Sequence, residues 1–251
     1  MWTTFDLPRL ALAAISLGIS IELLVAEADT KPEPTPIGVP PEFVDVSQSI
    51  PDIIVDLKYH GSENFVGEPI AGYTARRCWM SRSAATQLKK VQARLRPFGL
   101  SLKIFDAYRP QSAVNHFVRW AENHESQKRK SQHYPHIDKR NLFSKGYIAK
   151  RSGHSRGSSV DLTLASRASG PRETPKELDM GTIFDFFGKS SWTMAPEPTP
   201  QQRSNRLLLK TLMEQHGFVN YAKEWWHFRL RDEPFPDTYF DFPTGGVVTA
   251  E

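Results

Sequence analysis

From residue 43 onward, apolar positions recur with two alternating periods. In Asp52-Ile-Ile-Val-Asp-Leu-Lys-Tyr59, β-branched residues cluster ahead of a turn at Gly61, which predicts a strand. Ser81–Leu95 carries apolar residues at helical spacing, with Ser81 or Ser83 placed to cap its first turn. Leu100-Ser-Leu-Lys-Ile-Phe105 alternates as a strand, Ser112–Ser126 reads as a helix, and Val160–Leu164 as a short alternating strand. Ser204–His216 predicts a helix closed by Gly217, and Trp225–Leu230 a terminal strand. Three prolines between Ser190 and Gln202 mark a surface loop. The mixture predicts an α+β fold. No glycine-rich phosphate loop follows any strand, so a Rossmann or P-loop nucleotide site has no support.

The pattern differs before residue 43. Arg9 precedes an apolar run from Leu10 to Ala26, interrupted by Glu22, and Val25-Ala26-Glu27-Ala28 reads as an A-x-A cleavage site. Residues 1–28 are therefore expected to form a signal peptide, which implies export to a periplasmic or extracellular setting. An uncleaved anchor and a buried amphipathic helix are the other readings of this run, which lies near the lower length limit for a membrane span. No later stretch reaches that limit, so the mature domain is not expected to insert in a membrane. Lys31-Pro-Glu-Pro-Thr-Pro-Ile-Gly-Val-Pro-Pro-Glu42 follows, and prolines that fix φ and remove backbone donors make residues 29–42 an extended linker. Residues 43–251 then form one catalytic domain, without repeats or a second tether.

Composition narrows the chemistry. In 251 residues, 39% hydrophobic, there is enough apolar material for a packed core. Thirty-two Lys+Arg against 28 Asp+Glu leave a formal charge of +4 with no long run of like charge, so nucleic-acid binding has no compositional support. The single cysteine, Cys78, excludes an intramolecular disulfide and a cysteine-based structural zinc site. A transition metal in this chain must be held by histidines and carboxylates.

Such residues are concentrated in three segments. In Ser152-Gly-His-Ser-Arg-Gly-Ser-Ser-Val-Asp-Leu-Thr-Leu164, alternation puts Val160, Leu162 and Leu164 on one face and Asp161 on the other, while the glycine turn folds His154 back towards Asp161. In Glu224-Trp-Trp-His-Phe-Arg-Leu230, Trp226, Phe228 and Leu230 take the core face and His227 the polar one. His154, Asp161 and His227 make a His₂-carboxylate set, a normal shell for one catalytic Zn2+ with a fourth position left to water. Glu224, three residues before His227, is placed to accept and return a proton beside the metal without binding it. In Phe105-Asp-Ala-Tyr-Arg-Pro-Gln111, Pro110 stiffens a strand exit, so Arg109 is held where a guanidinium suits a developing oxyanion, with Asp106 available to orient it. His124, His133 and His136 lie in a Lys/Arg-rich polar stretch and read as solvated loop residues.

The motifs Ser-x-His-x-x-Gly-x-x-x-Asp, Glu-x-x-His and Asp-Ala-Tyr-Arg-Pro resemble those of the zinc D-alanyl-D-alanine dipeptidases of the vancomycin-resistance type, from about Val46 to Arg231. Supporting segments are Asp56-Leu-Lys-Tyr59, Asn64-Phe-x-Gly67, Gly72-Tyr73 and Met180-Gly-Thr-x-Phe-Asp185. The resemblance implies an antiparallel sheet carrying the metal and flanked by helices, as in zinc D,D-carboxypeptidases and the hedgehog signalling domain. It implies zinc ligands at His154, Asp161 and His227, the base at Glu224 and a transition-state arginine at Arg109. It also implies a carboxylate for the substrate ammonium at Asp185 and polar substrate contacts at Ser152 and Tyr73. The implied substrate is a small D-amino-acid dipeptide, in this exported setting a product of cell-wall turnover. A D,D-carboxypeptidase or endopeptidase acting on muropeptides is the competing enzyme, and a non-catalytic zinc-containing binding module the competing class. Departures from the family pattern are Ser159 in place of alanine, a lengthened Arg167–Leu178 loop and the N-terminal export features.

Overall fold

A computed structural model describes residues 38–167 and 174–246. The expected signal peptide, most of the expected linker and the centre of the Arg167–Leu178 loop lie outside the described residues. In chain order the elements are β1 (Phe43–Asp45), α1 (Val46–Ser49), β2 (Ile54–Val55), β3 (Trp79–Ser81), α2 (Arg82–Leu95), β4 (Leu100–Asp106) and α3 (Gln111–Glu122). They continue with α4 (Lys130–His133), β5 (Ser159–Ser166), α5 (Pro200–Gln215), β6 (Phe218–Asn220) and β7 (His227–Leu230), joined by short 3₁₀ turns. Among the described residues no helix is long and apolar enough to cross a membrane.

Local chemistry sets the helices. Ser81 caps α2, its side chain accepting from the Ala84 N–H at 3.3 Å, and Ala84, Leu88, Val91 and Leu95 form the buried stripe. Helix α5 begins four residues before the expected Ser204. Thr199 and Gln202 form a reciprocal capping box and Pro200 takes the first turn, a start signal that outweighs the proline-rich look of the segment. Helix α3 ends at Glu122, short of the expected Ser126.

Five strands form the main sheet in the order β2-β4-β5-β7-β6. All pairings are antiparallel except β2 with β4, so the expected antiparallel sheet carries one parallel edge. That edge strand is two residues long instead of eight. After Val55, Asp56 pairs with Lys58 and Lys103, and a 3₁₀ turn at Lys58–His60 carries Tyr59 into the core. A separate two-stranded ribbon pairs β1 with β3.

One irregularity positions the chemistry. Ile104 opposes Leu162, yet Asp106 opposes Asp161, so Phe105 is an extra residue in β4. The bulge moves Asp106 onto the face of Asp161, and Asp161 in turn pairs with His227. Asp106, Asp161 and His227 thus form a row across three adjacent strands. Helices α2 and α5 pack on one another and on the sheet.

A smaller aromatic cluster of Phe43, Trp79, Tyr108 and Phe242 is closed by the C-terminal segment. That segment ties together the loops around the row: the Phe240 N–H donates to the Ser155 carbonyl, Tyr108 Oη to the Phe242 carbonyl, and Trp79 Nε1 to the Thr244 carbonyl. Gly157 ends the His154 turn at φ +78°, and a Cβ there would fall 2.4 Å from the ring of Phe43. Gly157→Ala is therefore expected to destabilise the fold by about 2–4 kcal/mol, the left-handed backbone and the forced overpacking acting together. Chemical denaturation checks this, and a midpoint within error of wild type would contradict it.

Candidate metal centre and active site

His154 is delivered by a turn whose N-cap is Ser152 and whose last residue is Gly157. Its Nδ1 lies 2.6 Å from the Ala107 carbonyl, which can only accept, so Nδ1 carries the proton and Nε2 presents its lone pair. Nε2 faces Asp161 Oδ2 at 3.3 Å and His227 Nδ1 at 3.1 Å, and His227 Nδ1 is 2.9 Å from Asp161 Oδ1. One ligand atom from each of the three residues falls within 4.8 Å of the others. Donors bound tetrahedrally to one zinc ion at ~2 Å stand roughly 3.3 Å apart, so the set fits a shared ion. His154 Nε2, His227 Nδ1 and the Asp161 carboxylate thus converge at the spacing of donors to one ion. Against the pull of burial, the two histidines hold the Asp161 carboxyl below its ordinary range.

The turn before β7 places Glu224. The expected strand Trp225–Leu230 begins only at His227, because the His227 N–H donates back to the Glu224 carbonyl and Trp225 turns aside, its N–H donating to the Ser191 carbonyl and its indole to Thr182. Trp226 is buried, as the alternation suggests, and Trp225 is buried with it. Glu224 Oε2 comes within 4.0 Å of His227 Nδ1, beside the ligand cluster but outside it. Burial, then the negative charge of Asp161, pushes its carboxyl up to about 8, within reach of the task of taking and returning a proton.

Arg109 stands at the strand exit as expected, and the bulge explains its fixity. Its guanidinium contacts Asp106 at 2.8 Å and Asp161 at 3.4 Å and lies over the rings of Tyr59 and Phe117 at 5.0 and 5.2 Å. Asp106 is fully buried and also accepts from Tyr73 Oη at 2.5 Å. Tyr73 thus sits behind the site, its hydroxyl engaged by Asp106, and does not line the cavity.

Arg109, Ser152, His154, Asp161, Asp185, Glu224 and His227 all line one cavity of about 250 Å³. That is below the roughly 300–1,000 Å³ of sites that hold drug-sized ligands, and it suits a small substrate. Asp185 is buried, and burial with Asp161 nearby drives its carboxyl well above the ordinary range.

Sequence reasoning missed two residues. Tyr59 donates its hydroxyl to Asp185 Oδ2 at 2.8 Å; its segment was legible only as an apolar strand and as part of a family motif. His133 is not solvated as expected. It is buried, with Nδ1 3.0 Å from the Asp185 carbonyl, whereas His124 and His136 are exposed. No local signal marks this contact, which joins residues 52 apart.

Comparisons with known proteins show the family of the chain. The family model described as D-ala-D-ala dipeptidase, peptidase family M15, matches residues 40–245. A D-alanyl-D-alanine dipeptidase of Streptomyces coelicolor is 40% identical over 202 residues, covering 80% of this chain and 98% of that protein. One from Enterococcus faecalis is 38% identical over 200 residues, covering 80% and 96%. One from Escherichia coli is 35% identical over 189 residues, covering 75% and 84%. Among solved structures, the zinc complex of the vancomycin-resistance D,D-pentapeptidase VanY aligns with TM-score 0.36 and 13% identity over 61% of this chain and 74% of that one. With its family model matched across nearly the whole described region, the chain belongs to the D-alanyl-D-alanine dipeptidase family of M15 metallopeptidases.

Proposed function

We propose that this protein hydrolyses D-alanyl-D-alanine, or a close D-amino-acid dipeptide, with one zinc ion held by His154, Asp161 and His227. The family is one of zinc metallopeptidases, and relatives covered over nearly their full length carry that activity. The observation that carries the reading to this chain is the convergence of the three ligands, Glu224, Arg109 and Asp185 on one small cavity. When bound, zinc supplies Lewis acidity that activates water and polarises the scissile carbonyl. Glu224 accepts the proton of the attacking water and returns it to the leaving amine. Arg109, anchored by Asp106, holds the negative charge that develops on the carbonyl oxygen. Asp185 receives the free ammonium of the dipeptide, and Ser152, at the cavity wall, offers a hydroxyl to the substrate.

Asp185 makes the proposal specific. A substrate with an acylated amine gives this buried carboxyl no counter-charge beyond the Tyr59 hydroxyl, and so forgoes the ion pair that a free ammonium makes in a small closed site. The zinc-loaded protein is expected to release D-alanine from D-alanyl-D-alanine at a kcat/KM at least about a hundredfold above that for N-acetyl-D-alanyl-D-alanine or a pentapeptide stem. Asp185→Ala narrows the gap by weakening the free dipeptide. Equal or faster cleavage of the acylated or muropeptide substrate replaces this reading with a D,D-carboxypeptidase.

A further inference from the structure

Asp185 is the one non-glycine residue with positive φ among the described residues, at +57°. This left-handed region is unfavourable for most L side chains and persists where surrounding contacts impose it. Two of those contacts come from one residue. His133 Nδ1 lies 3.0 Å from the Asp185 carbonyl and, since a carbonyl cannot donate, is the donor; the His133 carbonyl in turn accepts the Phe187 N–H at 2.6 Å. His133 therefore grips the backbone on both sides of Asp185-Phe186. It is itself buried, and its helix is moored from outside the loop: Arg129 Nη2 donates to the Ser62 carbonyl and Lys128 Nζ to the Gly67 carbonyl. On the side-chain end Tyr59 holds Asp185 Oδ2.

We propose that His133 is a positioning residue for selectivity: by fixing the left-handed backbone of Asp185, it aims that carboxylate at the free ammonium of the substrate. The inference rests on the ammonium-binding role proposed for Asp185 above. His133 does not line the cavity that holds the ligand cluster and Glu224, so its influence falls on binding of the amino terminus and leaves proton transfer intact.

The test uses the full-length zinc-loaded protein and its His133→Ala and His133→Asn variants, with zinc content and melting temperature measured alongside. Asparagine places an amide N–H close to where histidine Nδ1 stands, so it restores the bond to the carbonyl without the ring. His133→Ala is expected to keep one zinc per chain, to raise KM for D-alanyl-D-alanine about tenfold with kcat within about threefold, and to narrow the preference over the N-acetyl dipeptide by a similar factor. His133→Asn is expected to recover most of both. A His133→Ala enzyme with wild-type KM and preference overturns the inference. So does one that loses both substrates equally, or one that His133→Asn fails to rescue, since either marks a purely structural role. If the wild-type enzyme itself shows no preference for the free dipeptide, the dipeptidase reading fails and the role of His133 falls with it. If the wild-type preference is present and His133→Ala retains it, only the role of His133 falls.

Discussion

Glu224→Gln is expected to leave a folded, zinc-replete protein whose kcat for D-alanyl-D-alanine falls by roughly 10³–10⁴-fold. The glutamate lies 4.0 Å from His227 Nδ1 and outside the set of converging ligand atoms, so replacing it does not open the metal shell. The amide keeps the volume and one hydrogen-bonding oxygen but cannot take a proton from water. General acid and base catalysis supply about 10²–10⁴-fold where one positioned group serves, and here a single carboxylate serves both steps. Zinc analysis on the same preparation separates lost chemistry from lost metal. A metal-replete variant with kcat within tenfold of wild type removes Glu224 from the mechanism.

The second large effect lies in the ligands. His154→Ala, Asp161→Ala and His227→Ala are each expected to lower zinc affinity by two orders of magnitude or more, with activity lost in parallel, because two remaining donors hold the ion weakly. Chelation should abolish wild-type turnover, and added zinc should restore the wild type but none of the three variants at the same concentration. Asp161 is expected to be the most damaging, since it contacts both histidines and also Arg109 at 3.4 Å. Full zinc occupancy in all three purified variants contradicts the assignment.

Much of this site can be read from side-chain alternation. Val160, Leu162 and Leu164 against Asp161, and Phe228 and Leu230 against His227, are period-2 patterns that survive because both strands pack one face on the core. The Ser81 cap and the apolar stripe of α2 are equally local, and they too are visible in the residues alone. What alternation does not contain is register. The extra residue at Phe105 decides whether Asp106 shares a face with Asp161, and nothing in Leu100–Gln111 announces a bulge. The role of His133 is hidden for a related reason: a polar, basic stretch reads as solvated until the tertiary fold brings the Asp185 loop against it. The ribbon of β1 and β3 is three residues a side, too short for any periodicity to show. Tyr73 was legible as a motif residue, but only the structure shows its hydroxyl turned to Asp106.

The grouping of Asp106, Asp161, Asp185 and Glu224 has a meaning beyond the pairings described for each. Four carboxylates surround the buried end of one guanidinium, Arg109, while Arg151, the other arginine lining the cavity, is exposed to solvent. Burial raises three of them, Asp106, Asp185 and Glu224, above the ordinary carboxylate range, so the site relieves its excess negative charge by holding protons. A divalent metal and the ammonium of an incoming dipeptide each bring positive charge to the same cavity and favour release of those protons. The cavity thus trades protons for cations as it fills. A ligand without the ammonium gives Asp185 no such reason to ionise, however well its shape fits the cavity.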